Sequence, residues 1–276
     1  MNKNIAQRAK MSETNNNYSI RHTMRLACGI FLLTLLTIWC GGCVDLTGLP
    51  EDPVAGTISA SHAAKYKYPG HVYAMRGFLG IFSTGMDTLA FTLSKEHLVE
   101  AAPVADEARG PLKDFLLKAE AEHRLNDGPL ILVGHSWGAD DQVRIARSLG
   151  HHGIKVDLLL LIDPVTPPHI PVNVVRCIDI YKSHPLTDWF PAWRGVPVTA
   201  VNPALTKLTN INLRTTPENF DTQDINHVYI TASRGVQRMM RHAIYRACKR
   251  WEAEHPTGPW TAPKQPGEIP IPPKSD

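Results

Sequence analysis

The sequence predicts an α/β fold with a mostly parallel central sheet, and three observations support this class. Apolar runs of strand length alternate along the chain with segments of helical periodicity. Residues 154–162 are nearly continuously apolar, as a central strand covered on both faces would be. A serine between two glycines, Ser136, directly follows the apolar run at residues 129–133. Strands that are separated by helices imply parallel pairing with right-handed crossovers.

Each element is predicted from its own pattern. Short apolar runs predict six strands, at residues 71–76, 97–104, 129–133, 154–162, 174–181 and 208–214. Apolar residues at helical spacing predict helices at residues 85–96, 111–124 and 139–148, and a C-terminal helix that starts near His227. The third helix is followed by Gly150, which is a typical helix stop signal.

The composition is that of an ordinary globular protein. With 43% hydrophobic and 20% charged residues, the 276 residues suffice for one sizeable domain with appendages. The net charge is +3, and the lysines and arginines are dispersed except in residues 238–250, which we expect to form a solvated helix face. We therefore expect no nucleic-acid partner, and we expect a monomer.

The cysteines and histidines do not indicate a metal site. Three of the five cysteines lie in the first 45 residues, which leaves Cys177 and Cys248 in the body of the chain. These two can form at most one disulfide, and the sequence leaves open whether they pair. No Cys/His cluster at metal-ligand spacing occurs in the body, so we predict neither a metal nor a cofactor.

Residues 1–43 read as an export signal or a membrane anchor. Basic residues precede the apolar run at residues 26–39, and Cys40-Gly-Gly-Cys43 follows it. The fourteen residues of this run are short for a membrane span, although the uncharged stretch continues to Val44 and an uncleaved anchor stays open. The segment resembles the end of a bacterial lipobox, which implies lipidation of Cys43. It departs from that pattern at Cys40, where leucine is usual.

The remaining boundaries follow from composition. Residues 44–70 are rich in Pro, Gly, Ser and Ala without periodicity, which is typical of a linker. Residues 71–254 form the predicted folded domain. Residues 255–276 form a proline-rich tail, with seven prolines from position 256 onward. The predicted location is the cell envelope, on the periplasmic side of a bacterial membrane.

The segment Gly134-His-Ser-Trp-Gly138 has the form of a nucleophile elbow. A strand that enters a G-x-S-x-G turn and leaves as a helix holds its serine in a strained and exposed position. Side chains two residues before and two residues after the serine would collide in such a tight turn, so both positions need glycine. Because strand and helix patterns flank it, the motif indicates a nucleophilic Ser136.

Together with two further segments, this elbow resembles the α/β-hydrolase superfamily over residues 73–251, with the lipase, esterase and thioesterase branches closest. The further segments are Leu161-Ile-Asp-Pro164 at a strand end and Ile225-Asn-His-Val-Tyr229 after the last strand. The resemblance implies a three-layer α/β-hydrolase-type sandwich in a minimal version. It also implies the chain order Ser, acid, His, which Ser136, Asp163 and His227 obey.

The three residue types supply the roles that acyl transfer needs. A serine hydroxyl becomes a good nucleophile when an imidazole accepts its proton, and a carboxylate fixes the tautomer of that imidazole and stabilises its cation. His227 is the histidine that follows the last strand and precedes the last helix. The resemblance implies two usual places for the acid, and Asp188, in the loop after the next strand, occupies the second of them and stays as the alternative to Asp163.

The predicted oxyanion hole has two backbone donors. One is the amide of Trp137, directly after the nucleophile. The resemblance implies that the other lies in the loop after the first strand, at Phe78 or alternatively at Leu79. The aromatic segment within residues 181–203 is long enough for a small lid.

Two hypotheses for function remain at this point. One is an exported serine hydrolase that cleaves a carboxylic ester or thioester, either a small molecule or an acyl lipid, through an acyl-enzyme on Ser136. The other is a non-catalytic, hydrolase-like binding or scaffold protein of the envelope. Amidase or acyltransferase chemistry would use the same three residues.

Overall fold

The computed structural model describes residues 66–77, 83–105, 108–166, 168–184, 195–216 and 225–256. These residues form a six-stranded sheet with helices on both faces. The strands are β1 (His71–Met75), β2 (Glu100–Val104), β3 (Leu130–His135), β4 (Leu158–Ile162), β5 (Arg176–Tyr181) and β6 (Lys207–Asn212). The helices are α1 (Thr84–Lys95), α2 (Arg109–Ala121), α3 (Trp137–Gly150) and α4 (Arg234–Glu254).

The order of the strands creates a crevice at one place in the sheet. The order is β2-β1-β3-β4-β5-β6, and every described neighbouring pair is parallel. The chain passes from β1 outward to β2 and then returns to the other side of β1 to form β3. The crossovers after β1 and after β3 therefore leave in opposite directions, and ligands of open parallel sheets bind at the carboxyl ends of such strands.

Two apolar cores sandwich the sheet, because successive side chains of each buried strand point to opposite faces. One core packs alternate strand residues against α2 and α3, with Leu132, Leu161 and Leu116 among its members. The other packs the intervening residues against α1 and α4, with Val133 and Leu160 among its members. The predicted three-layer α/β sandwich with a parallel central sheet is thus confirmed.

Several predicted boundaries are wrong. The fourth strand begins at Leu158 and not at residue 154, and helix α2 ends at Ala121 and not at residue 124. Two further boundaries differ for local reasons. The second strand begins at Glu100 and not at residue 97, because His97 has a φ of 51° and its N–H bonds to Ser94 O in a turn. The last helix begins at Arg234 and not near His227, because residues 227–229 form a turn and a short 3₁₀-helix at Ile230–Ala232 comes first.

Cys177 and Cys248 are both buried and unpaired. Cys177 belongs to the core under α3, whereas Cys248 lies on α4 in the core of the opposite face. The sheet therefore separates them. Within the described ranges, no helix has both the length and the apolar character to cross a bilayer. The predicted leader, with Cys43, lies outside the described residues, as does most of the predicted tail.

A buried histidine links three segments at the amino end of the sheet. His71 Nε2 lies 2.7 Å from Asp127 Oδ1, and His71 Nδ1 lies 3.4 Å from Glu100 Oε2. Burial lowers the pKa of His71, but the hydrogen bonds and negative charges of the two carboxylates outweigh burial and raise this pKa from 6.5 to about 9. The cationic form therefore stabilises this end of the sheet.

The stability contributed by the protonated His71 should depend on pH. A group whose pKa is raised on folding contributes stability that is fully present below pH 6.5 and is lost as the pH rises through about 9. We expect the free energy of unfolding of the wild type to be higher than that of His71→Gln by about 1–3 kcal/mol at pH 6. At pH 9.5 the difference should be smaller. Urea titrations of both proteins at the two pH values measure this, and a pH-independent difference would contradict the assignment.

Candidate active site

Ser136 lies in a strained elbow between β3 and α3. Its backbone has φ 57° and ψ −125°, which is a costly conformation for a residue with a side chain. The Ser136 N–H donates to Ile162 O at 2.9 Å, so the neighbouring strand β4 holds the elbow. The serine side chain is thereby placed at the carboxyl end of the sheet, beside the crevice between β1 and β3.

The two motif glycines are required by close backbone contacts. A Cβ at Gly134 would lie 2.5 Å from Gly138 O and 2.7 Å from Ala139 N. A Cβ at Gly138 would overlap the carbonyl oxygen of Arg76 at the end of β1. The steric reason that predicts an elbow from the sequence is therefore present in the structure.

The structure brings Ser136, His227 and Asp163 into one chain of hydrogen bonds. Ser136 Oγ lies 2.9 Å from His227 Nε2, and His227 Nδ1 lies 2.8 Å from Asp163 Oδ2. The carboxylate can only accept, so His227 carries its proton on Nδ1 and leaves Nε2 to accept the proton of the serine. This is the tautomer that a general base for Ser136 requires.

Asp163 is held from both sides of its loop. It directly follows β4, has a φ of 49°, and its Oδ1 accepts the N–H of Lys182 at 3.2 Å. A second carboxylate, Asp140 in the first turn of α3, accepts both the N–H and the hydroxyl of Thr166 at 2.8 Å. The loop that carries Asp163 is thus fastened to the helix that follows the nucleophile.

The turn that carries His227 is held by Asn226 and Lys182. Asn226 Oδ1 accepts the N–H groups of Val228 and Tyr229, both at 3.0 Å, which closes the turn around His227. Lys182 Nζ donates to Ile225 O at 2.6 Å from a buried position after β5. Lys182 therefore contacts the loops of both the acid and the base.

A second histidine, His135, lies beside the three predicted residues and was not predicted to contribute. It stands at a variable position of the G-x-S-x-G pattern. Its ring lies 5.1 Å from that of His227, measured between centroids. Burial, and then the charge of His227, lower the pKa of His135 to about 3, so His135 is neutral at physiological pH. A polar residue at the last position of a buried strand is the signal that could have identified it.

The other predicted site residues have different outcomes. Trp137 directly follows Ser136 and begins α3, two residues before the predicted start of that helix, and the residue is 49% exposed. Its role as an oxyanion donor stays a prediction. Phe78, its alternative Leu79, and the alternative acid Asp188 lie outside the described residues and stay predictions. Within the described ranges, no three His, Cys, Asp or Glu side chains are grouped so that they could hold a metal ion.

Comparisons with known proteins return remote structural similarities. No family model and no curated protein matches the chain. The NocB thioesterase domain from the nocardicin cluster is 14% identical with a TM-score of 0.41, over 67% of this chain and 96% of that one. The RedJ thioesterase from the prodiginine pathway of Streptomyces coelicolor is 14% identical with a TM-score of 0.37, over 66% and 87%.

A third solved structure is XC6422 from Xanthomonas campestris, described as an α/β serine hydrolase without lid. It is 15% identical with a TM-score of 0.36, over 67% of this chain and 83% of that one. Similarities at this level support no conclusion about activity, so function has to be inferred from the geometry of the site.

Proposed function

We propose that this protein is an exported serine hydrolase that cleaves a carboxylic ester or thioester through an acyl-enzyme on Ser136. One observation carries the proposal, the hydrogen-bond chain from Ser136 Oγ through His227 to Asp163 Oδ2, with distances of 2.9 and 2.8 Å. The strained elbow under Ser136 supports it, because backbone strain of this kind persists where surrounding structure enforces it and is common at active sites.

Acylation follows from the protonation states of these groups. His227 Nε2 takes the hydroxyl proton of Ser136 as the serine oxygen attacks the carbonyl carbon, and Asp163 stabilises the resulting imidazolium. The carbonyl oxygen becomes an oxyanion. When the tetrahedral intermediate collapses, the bond to the alcohol or thiol breaks and His227 gives its proton to that leaving group.

Deacylation repeats these steps with water as the nucleophile. His227 removes a proton from water, the hydroxide attacks the acyl carbon, and the proton returns to Ser136 as the acid leaves. We assign one oxyanion donor to the amide of Trp137 at the start of α3, where the helix dipole also favours negative charge. The second donor is proposed at Phe78, with Leu79 as the alternative.

We propose a substrate with an apolar portion, such as a small acyl ester or an acyl lipid. Two exposed aromatic residues lie close in the chain to the reacting groups: Trp137 directly follows Ser136, and Tyr229, which is 61% exposed, lies two residues after His227. Exposed aromatic side chains offer apolar contact area to a ligand.

The location is proposed from the sequence of the leader. A basic segment, an apolar run and Cys43 after two glycines support export and lipid attachment at Cys43. Membrane association of the full chain that persists in Cys43→Ser would argue against this attachment.

A panel of acyl substrates tests the proposed reaction. The full chain, purified in detergent, should hydrolyse p-nitrophenyl esters of several chain lengths and an acyl thioester. The first turnover should release product in a burst equal to the enzyme concentration if deacylation is slow. Matched acyl anilides should react more slowly. A folded protein that turns over no ester or thioester would instead favour the non-catalytic hypothesis.

A further inference from the structure

A buried relay of hydrogen bonds runs behind Ser136 and connects the two loops on either side of it. His135 Nε2 donates to the backbone oxygen of His227 at 2.9 Å. On the other side of the ring, His135 Nδ1 lies 2.6 Å from Ser83 Oγ, and that oxygen accepts the N–H of Gly77 at 2.9 Å. Gly77 follows the end of β1, where the loop of the proposed oxyanion donor begins.

The direction of each bond in this relay is determined by its ends. A backbone carbonyl only accepts, so His135 carries its proton on Nε2. Because the ring is neutral, Nδ1 has no proton and accepts the hydroxyl of Ser83. Ser83 then uses an oxygen lone pair for the N–H of Gly77. All three polar groups are satisfied in one arrangement, which an alternative tautomer would break.

The relay is shielded from water. The exposed fractions of His135 and Ser83 are both 1%. Hydrogen bonds in such surroundings are costly to leave unmade, so they constrain the positions of the backbone groups they join. The side chain of His135 makes no described contact with the hydroxyl of Ser136, and therefore acts through other groups if it contributes to the reaction.

We propose that His135 is a positioning residue, which with Ser83 fixes the turn of His227 and the loop after β1 relative to the elbow of Ser136. This inference rests on the proposed hydrolase function. Because the N–H of Gly77 is bound by Ser83, Gly77 is not the second oxyanion donor, which is consistent with the proposal of Phe78 or Leu79 for that role.

Three substitutions of His135 separate the two halves of the relay. His135→Gln can place its amide N–H near the position of Nε2 and keep the bond to His227 O. His135→Asn can place its amide oxygen near the position of Nδ1 and keep the bond to Ser83. His135→Phe keeps the ring shape and neither bond. Ser83→Ala removes the link to Gly77 alone.

We expect His135→Phe to lower kcat about 100-fold with KM changed by less than about threefold, since small displacements of reacting groups cost rates of this order. His135→Gln should recover most of the loss, and His135→Asn and Ser83→Ala should lie between, because the bond to His227 O holds the general base. Cys248→Ala is the matched control, since it removes a buried group in the core beneath α4 and should lower the melting temperature without lowering kcat.

Two outcomes would overturn the inference. One is a His135→Phe protein that keeps kcat within about threefold of wild type. The other, decisive if His135→Phe does not fold, is equal kcat for the Gln and Asn variants. Amide hydrogen exchange of residues 225–230 supplies a readout independent of turnover, and should be faster in His135→Asn than in His135→Gln. If wild type hydrolyses nothing while this exchange difference is present, the proposed function fails and the positioning role stands.

Discussion

Ser136→Ala is expected to lower ester or thioester hydrolysis by about 10⁴- to 10⁶-fold, and His227→Ala by a similar factor. The first change removes the attacking oxygen, and the second removes the group that accepts its proton across 2.9 Å. The measurement is kcat/KM with the best substrate of the panel. Circular dichroism and the melting temperature establish that each variant is folded.

Matched substitutions on the same elements serve as controls for this result. Ser148→Ala changes a serine near the far end of α3, and His242→Ala changes an exposed histidine on α4. Both should retain wild-type rates. The double variant Ser136→Ala/His227→Ala should be no slower than either single variant by more than about tenfold, because residues that act as one unit are not additive. If the rate of Ser136→Ala stays within about tenfold of the wild-type rate, Ser136 is not the nucleophile.

Asp163→Asn is expected to lower kcat by about 10⁴-fold. The amide that replaces the carboxylate can neither stabilise the imidazolium of His227 nor hold its Nδ1–H by an equivalent charged bond, and it favours the wrong tautomer. The lost hydrogen bond joins His227 Nδ1 and Asp163 Oδ2 over 2.8 Å, and the side chain of Asp163 is only 3% exposed. Steady-state kinetics of the purified variant measure the effect.

Asp188→Asn is the comparison for this prediction. It changes the other candidate acid and should lower kcat by less than about tenfold, because the described geometry already gives His227 a carboxylate partner. A larger loss in Asp188→Asn than in Asp163→Asn would reverse the assignment of the acid. Similar small losses in both would show that His227 works without a carboxylate.

The main features of the site could be predicted from the sequence because they obey local or topological rules. Gly134 and Gly138 mark the elbow through a steric requirement that acts within five residues. Asp163 and His227 were identified because carboxyl ends of parallel strands meet at one edge of a sheet, so chain order alone limits the candidates. Ser136, Asp163 and His227 lie together in the structure as that rule requires.

The supporting groups could not be predicted in the same way. Ser83 and His135 are 52 residues apart in the chain, and His135 and His227 are 92 apart, so no local pattern connects them. The start of α4 was missed because the turn at residues 227–229 is closed by the side chain of Asn226, and apolar periodicity does not report such a contact.

The most direct test of the central claim is the mass of the intact protein after treatment with a fluorophosphonate, followed by peptide mapping. These probes phosphonylate an activated serine oxygen and need the same proton transfer to His227 and the same oxyanion donors. We predict one adduct per chain, located on Ser136, and no adduct in Ser136→Ala. A folded wild-type protein that stays unlabelled, or one labelled at a different residue, would contradict a nucleophilic Ser136.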